Sequence, residues 1–377
     1  MKVLHIITRM NTGGPAVFLD HLTNAISKLD CESVIAYGYC ESNESDYTDD
    51  HKLNAQIIKI KSLHRSINPV DDIRAFFQIR KVIKQVKPDL VNTHTSKAGV
   101  LGRIAVKSVN KNIPVVHAFL GHLIYGYFNK IKLFVFTMIE RFMAFFTDAA
   151  VAVTTETMTS LIKLGIGTNL KWKVIKIGLP KKEIKVDPIS SETPLKILWV
   201  GRFTDIKDPF FALNVFQELY KNSSYNFSLM MLGGGELLDE VKNSAKDLPI
   251  KFTGWVVNPF ADFIDFDILM ITSKNEGLPL VILEAASFSR ATISRDVGGV
   301  SEFIKDGKSG YLVSNNPKEM AEKIIRISLD KSGLIKVGEN ARNLLETEFS
   351  ANKMANDYFE LYSMLLMQIN YKPKSFN

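Results

Sequence analysis

The chain's 377 residues, 46% of them hydrophobic and 23% charged, suit two ordinary globular domains and exclude a fibrous or largely disordered protein. Its net charge of +7 is unevenly placed: residues 1–180 hold 23 Lys/Arg against 14 Asp/Glu, a balance of +9, whereas residues 181–377 hold 24 against 26. A basic half fits an anionic partner or a merely solvated basic face, and charge alone does not separate the two.

The opening run to Ile7 is apolar but too short for a signal peptide. It reads as a first buried strand. Short Val/Ile/Leu-rich runs at 3–8, 33–37, 56–60, 90–93, 115–118 and 149–153 then alternate with longer helical patterns, the rhythm of strand-helix units around a parallel sheet. Residues 133–146 are the most lipid-like stretch, but Glu140 and Arg141 break it well short of the roughly 18 apolar residues of a spanning helix. Cys31 and Cys40 offer neither a disulfide framework nor a metal-ligand spacing, so a reducing cytoplasm is expected, with the protein soluble or peripheral.

Apolar residues give way to Lys, Glu, Asp, Ser and Pro across 181–194, which marks a domain boundary. The scheme restarts at 196–200 and continues with strands at 228–232, 251–252, 268–271, 292–294 and 311–313. Helical patterns follow at 317–329, 335–346 and 351–369. The expected organisation is an N-terminal domain at 1–180, a second at 195–350 and a C-terminal segment, 351–377, that crosses back onto the first. Sheets of this kind bind ligands beyond the carboxyl ends of their strands.

The strongest local signal is Ser273-Lys274-Asn275-Glu276-Gly277-Leu278-Pro279-Leu280-Val281-Ile282-Leu283-Glu284, directly after the strand at 268–271. Gly277 and Pro279 turn the chain, and Pro279 suits the first turn of a helix running to about Ser289. The amides from Gly277 to Val281 would attract a phosphate. Glu276 would meet a sugar or cap the helix; Glu284 would reach a ribose or face solvent. Gly201-Arg202, with Lys207 in the same loop, places two cations after the strand at 196–200, where they would clamp a diphosphate from two directions or serve as plain surface charges. Arg9-Met10-Asn11-Thr12-Gly13-Gly14-Pro15 is a glycine turn before a helix beginning at Pro15. There Gly13 and Gly14 would let backbone approach a ligand. The aromatic segment 125–146 reads first as a buried helix; its alternative is a partly exposed surface for a membrane or a lipid-linked acceptor.

In this order, together with His94-Thr95-Ser96-Lys97-Ala98-Gly99, Gly102-Arg103, Glu140-Arg141, Gly233-Gly234-Gly235, Asp267, Gly298-Gly299-Val300-Ser301-Glu302 and Asp306-Gly307-Lys308-Ser309-Gly310, these motifs resemble the retaining glycosyltransferases of family 4. The resemblance implies the GT-B architecture, an α/β fold with two Rossmann-like domains facing across a cleft. It implies transfer of a sugar from a nucleoside-diphosphate sugar, UDP favoured over GDP, to a hydroxyl of a glycan or lipid-linked acceptor in surface-polysaccharide assembly. By the same resemblance Arg202 and Lys207 hold the diphosphate and Glu276 the donor sugar. Glu284 holds the ribose, and the backbone at Gly277, Leu278, Leu280 and Val281 meets phosphate and sugar. No cofactor and no metal are expected.

This sequence departs from the family pattern at three places. Leu120 stands where a histidine near the donor sugar is expected, with His122 nearby as a substitute donor contact; Ser289 and Ala291 replace a usual Gly and Pro; and Ile177 precedes Gly178 in place of Asn. Asp265-Phe266-Asp267 has the Asp-x-Asp spacing of metal-dependent glycosyltransferases, but the family pattern gives Asp267 a structural place at the start of a strand. A nicotinamide oxidoreductase is disfavoured, because the Gly-x-Gly-x-x-Gly fingerprint is missing after the first strand. A nucleic-acid partner lacks any supporting zinc spacing or RNA-binding motif. The remaining alternative is a catalytically altered protein that binds a nucleotide sugar or an anionic surface.

Overall fold

The computed structural model describes residues 1–42, 44–121, 130–181, 189, 194–221, 227–256 and 265–370. Among these, β1 (Lys2–Arg9), β2 (Glu32–Gly38), β3 (Gln56–Lys59), β4 (Leu90–His94), β5 (Val115–Phe119), β6 (Ala149–Ala152) and β7 (Lys171–Val174) form one parallel sheet in the order β3-β2-β1-β4-β5-β6-β7. A second parallel sheet, ordered β10-β9-β8-β11-β12-β13, contains β8 (Leu195–Val200), β9 (Phe227–Leu232), β10 (Ile250–Gly254), β11 (Ile268–Ile271), β12 (Ala291–Arg295) and β13 (Tyr311–Val313). Each is an open α/β sheet of the Rossmann kind, with its strand order reversing at β1/β4 and at β8/β11. Such reversals open a crevice at the carboxyl ends of the strands.

The central strands are continuous apolar runs because helices cover both faces: Val3, Leu4, Ile6 and Ile7 of β1, and Ile268, Leu269 and Met270 of β11, are fully buried. β7 was not legible as a strand. Its Lys171-Trp172-Lys173-Val174 alternates charge with apolar bulk, as an edge strand does, and lacks the unbroken run that marks the others. Several helices start at sites written plainly in the sequence. The Asn68 side chain accepts from the amides of Val70 and Asp71 before the Pro69–Val86 helix, and Asn316 accepts from Lys318 before Pro317–Leu329, each with proline in the first turn.

The chain divides into two compact units, one holding the residues to Pro180 and those from Ser350, the other spanning Lys181–Phe349. Within the first, the Ala351–Asn370 helix lies against the Gly14–Ile26 helix. Its Tyr358 and Tyr362 are fully buried, and the Asn92 amide of β4 donates to the Tyr362 hydroxyl at 2.6 Å. Gly178 permits this return, since a Cβ there would fall 2.3 Å from the Ser350 carbonyl oxygen.

The aromatic segment corrects one expectation. Phe136 is buried, but Phe134, Phe142 and Phe145 are exposed, as are Ile131, Val135 and Ile139, so the Lys130–Met143 helix is not buried. Its inward face carries Glu140, which makes a two-pronged ion pair with Arg103 at 2.8 and 2.9 Å; both residues are 1% exposed. Anchored through that pair, the helix leaves its apolar residues on the opposite face in water.

Three histidines lie buried under the first switch point. His5 Nδ1 is 3.2 Å from His94 Nε2, and His117 Nδ1 is 2.9 Å from the Thr93 hydroxyl. Burial pushes the His5 imidazole down to about 3; burial, with the neighbouring positive charges of His5 or Arg103, drives His94 and His117 well below the usual value. The native protein therefore holds them neutral while the unfolded chain protonates them below about pH 6.5. Stability is complete above that value and is lost as pH falls toward the folded values, at up to about 1.4 kcal/mol per pH unit for each ring. Urea unfolding between about pH 7 and about pH 5.5, above the main carboxylate range, should show this fall. A flat profile would contradict neutral burial.

Candidate active site

The second unit collects its polar residues where β8, β11 and β12 end. From β11 the chain enters the loop Thr272 to Pro279, and the helix Leu280–Ser287 follows. Pro279 stands just outside that helix, because its ψ of 128° is extended. Ser289, at φ 55°, lies beyond its end, so the helix is shorter at both ends than the pattern suggested. Pro279 supplies no side-chain cap; its carbonyl accepts from the Ile282 N–H at 3.1 Å, which leaves the Leu280 and Val281 amides to a ligand or water.

Glu276 is 9% exposed, and its Oε1 accepts from both Lys207 Nζ and the Ser273 hydroxyl. The pair ties the loop after β8 to the loop after β11. Three further contacts hold the same two loops. Lys274 N–H donates to the Ile206 carbonyl at 2.8 Å, the Thr272 hydroxyl donates to the Lys207 carbonyl at 2.9 Å, and Trp199 Nε1 of β8 donates to that hydroxyl at 2.8 Å. Arg295, at the end of β12 and 5% exposed, donates to Asp208 at 2.9 Å and to the Thr272 carbonyl at 2.8 Å, with its guanidinium 4.6 Å from the Phe211 ring centre.

The structure thus brings Lys207 and Glu276 together directly. Arg202 follows β8 as an exposed side chain. Gly277 and Leu278 are buried in the loop, while Leu280, Val281 and Glu284 are half-buried on the helix. The sequence reading had both cations waiting for a diphosphate; here Lys207 is already engaged by Glu276. Gly13 and Gly14 belong to the first unit, where the helix starts at Gly14, one residue earlier than expected. Gly13 is extended, and a Cβ on it would meet nothing closer than 3.8 Å. His122 lies outside the described residues. Asp267 has the structural place expected of it: its carboxylate accepts from the Lys196 amide at 2.8 Å, while the exposed Asp265 pairs with Lys196 Nζ at 2.5 Å.

Sequence reasoning gave no separate role to Ser273 or Asp208, which lay inside the motifs, and missed Thr272 and Arg295. None has a distinctive spacing, and Arg295 acts from 87 residues away. Gly298 was visible only as part of a motif. Its φ is +54°, and a Cβ there would fall 1.9 Å from the Glu276 carbonyl oxygen, which accepts from Gly299 N–H at 3.0 Å.

Two open parallel sheets of the Rossmann kind, with a lysine-glutamate pair and an exposed arginine at the second switch point, define a nucleotide-fold protein. The family model described as Glycosyltransferase Family 4 matches residues 12–178, and that described as Glycosyl transferases group 1 matches residues 180–344. The chain belongs to glycosyltransferase family 4; it is an enzyme of the GT-B architecture. It is 27% identical over 337 residues, 84% of this chain and 85% of the relative, to an Escherichia coli protein named UDP-Gal:alpha-D-GlcNAc-diphosphoundecaprenol alpha-1,3-galactosyltransferase. A Campylobacter jejuni protein, GalNAc-alpha-(1->4)-GalNAc-alpha-(1->3)-diNAcBac-PP-undecaprenol alpha-1,4-N-acetyl-D-galactosaminyltransferase, is 25% identical over 379 residues, 96% of this chain and 98% of its own. Among solved structures, Anabaena HepE in complex with UDP-glucose has a TM-score of 0.80 at 18% identity, covering 97% of this chain and 100% of that one. The latter likeness concerns the fold alone.

The two kinds of glycine separate fold from ligand. Gly298→Ala should displace the Glu276 loop and destabilise the protein by about 1–3 kcal/mol, as overpacking with a disfavoured φ does. Gly13→Ala should leave stability within about 0.5 kcal/mol. Denaturant titrations of both variants check the contrast; equal losses would show that Gly13 is held by the fold.

Proposed function

We propose that the protein transfers a sugar from a UDP-sugar, with retention of anomeric configuration and without a metal, to a hydroxyl of a lipid-linked glycan in cell-surface polysaccharide assembly. The observation that carries the reading is the buried Glu276 held by Lys207 and Ser273 at the second switch point. A diphosphate arriving beside Arg202 competes for Lys207 with two or more negative charges and draws it from Glu276. The freed carboxylate then accepts from hydroxyls of the donor sugar, and the Leu280 and Val281 amides take phosphate oxygens. In the transfer, the bond from the anomeric carbon to the phosphate oxygen breaks and a bond to the acceptor oxygen forms on the same face. The acceptor proton passes to the departing diphosphate. Arg202, Lys207 and the helix start stabilise the charge gathering there, and Glu284 holds the ribose.

The lipid-linked acceptor is supported by the undecaprenol in the names of both relatives and by the first unit's exposed apolar helix. Ile131, Phe134, Met138, Phe142 and Phe145 recur at helical spacing, with Lys130 and Lys132 at the start. That pattern suits the interface of an anionic membrane and supports the proposal of a peripheral enzyme, which we assign to the cytoplasmic side.

A mass-spectrometric screen of UDP- and GDP-sugars for transfer or slow hydrolysis would identify the donor. On that donor, Glu276→Gln should lower turnover far more than UDP affinity, whereas Glu284→Gln should chiefly raise the UDP dissociation constant. Arg202→Ala and Lys207→Ala should each weaken UDP binding, measured calorimetrically in chelator, by about 1.5–3 kcal/mol. Full turnover in Glu276→Gln would sink the assignment of the loop. Failure of every donor, with UDP still bound, would favour a catalytically altered binding protein, a reading to which Leu120 at the family's histidine position lends support.

The membrane contact is checked separately. The protein should float with anionic vesicles in a salt-sensitive manner, and Phe134→Ser with Phe142→Ser should abolish flotation while leaving UDP affinity unchanged. Indifference to vesicles at low ionic strength would point to a soluble acceptor.

A further inference from the structure

Of the chain's three tryptophans, Trp199 is 2% exposed and Trp172 half-buried, its Nε1 donating to the Gly167 carbonyl at 2.8 Å, whereas Trp255 is 65% exposed. An indole buries one of the largest apolar surfaces of any side chain, so leaving it in water forgoes a large stabilisation unless something else covers it. Its position says what. Trp255 follows Gly254, the last residue of β10, and therefore stands at the carboxyl edge of the second sheet, the edge from which Arg202 and the Glu276 loop also leave.

The indole is seated rather than loose. A Cβ on Gly234 would fall 2.4 Å from Trp255 Nε1 and 2.8 Å from Cδ1, so the pyrrole edge rests on Gly234. Gly233 and Gly235 have positive φ, but Gly234 does not, so the indole, not the backbone, requires glycine there. The same loop fixes Trp255 relative to Arg202. Gly233 N–H donates to the Gly254 carbonyl at 2.9 Å, Phe203 N–H donates to the Gly234 carbonyl at 2.9 Å, and a Cβ on Gly233 would strike the Gly201 carbonyl at 1.9 Å. β10 and β8 are two strand spacings apart, about 10 Å. A nucleoside diphosphate bridges that span when its phosphates lie at Arg202.

We infer that Trp255 stacks on the nucleobase of the donor, an inference that rests on the nucleotide-sugar reading of this site. The ligand class it takes is a flat, uncharged heteroaromatic ring. Every base has such a face, so Trp255 supplies affinity for the nucleoside without choosing between uracil and guanine. That choice belongs to polar groups elsewhere.

Titrating the full chain with UDP should quench its tryptophan fluorescence, whereas inorganic pyrophosphate, which lacks a base, should not. Trp255→Phe should keep UDP affinity within about threefold, because a smaller ring still stacks, yet lose the quench. Trp255→Ala should weaken UDP and GDP alike by about tenfold or more and leave pyrophosphate affinity unchanged. Because the side chain is exposed, both variants should melt with the parent protein. Wild-type affinity for UDP in Trp255→Ala, or a quench that survives in Trp255→Phe, would overturn the assignment while the donor reading stands. If the parent binds neither UDP nor GDP, the donor reading fails first and takes the stacking role with it.

Discussion

The second unit is organised around one carboxylate that must not be left alone. Glu276 is nearly buried, and a buried carboxylate without a counter-charge costs several kcal/mol. Lys207 and Ser273 meet that requirement, and meeting it dictates where the loops after β8 and β11 lie. Asp208, at φ 50°, turns the chain beyond Lys207 and offers its carboxylate to Arg295, which in turn donates to the carbonyl of Thr272. Gly298 allows the next loop to close against the backbone of Glu276. The arrangement is stable without a ligand and electrically incomplete with one, since an arriving diphosphate and Glu276 want the same lysine. On the proposed reading, such a pair would exchange partners when a diphosphate binds, passing the event to the Glu276 carboxylate.

The first unit solves a different problem with similar topology. Its polar groups at the β1/β4 reversal are turned inward. The Thr8 and Thr95 hydroxyls are 2.7 Å apart, Thr95 holds φ at 63°, and His5, His94 and His117 are kept neutral beneath them. A β-branched residue in that region persists only where its surroundings over-determine it. Here the surroundings are Thr8 and the start of the Ser96–Val109 helix, where the Ala98 amide donates to Thr8. The Arg103–Glu140 pair then decides which face of the Lys130–Met143 helix is inside, so a buried ion pair is the reason for an exposed apolar stripe.

Much of the fold was legible because parallel strands buried on both faces are written as unbroken apolar runs. β11 and β13 were read at their observed bounds. What was not legible depended on partners remote in sequence. Nothing near Lys207 indicates that its ammonium meets a carboxylate 69 residues away. The aromatic residues of 130–146 read as core because hydrophobicity alone does not say which face an ion pair will claim. Trp255 is harder still: at the end of a strand a tryptophan reads as core, and only its exposure beside Gly234 shows otherwise.

Glycines carry the remaining distinction between what the fold needs and what a ligand needs. At Gly178, Gly233 and Gly298 a Cβ would collide with backbone oxygen, so the chain's own path explains the residue. Gly234 is explained by a side chain, the indole of Trp255. Gly13 is explained by neither, for its φ is one that any residue adopts and the space around its missing Cβ is open. It nevertheless sits immediately before the Gly14–Ile26 helix, at the carboxyl end of β1. For a glycine demanded by neither backbone nor neighbours, at the edge of a sheet where ligands bind, we propose the reason the sequence motif suggested: the close approach of a ligand to the main chain.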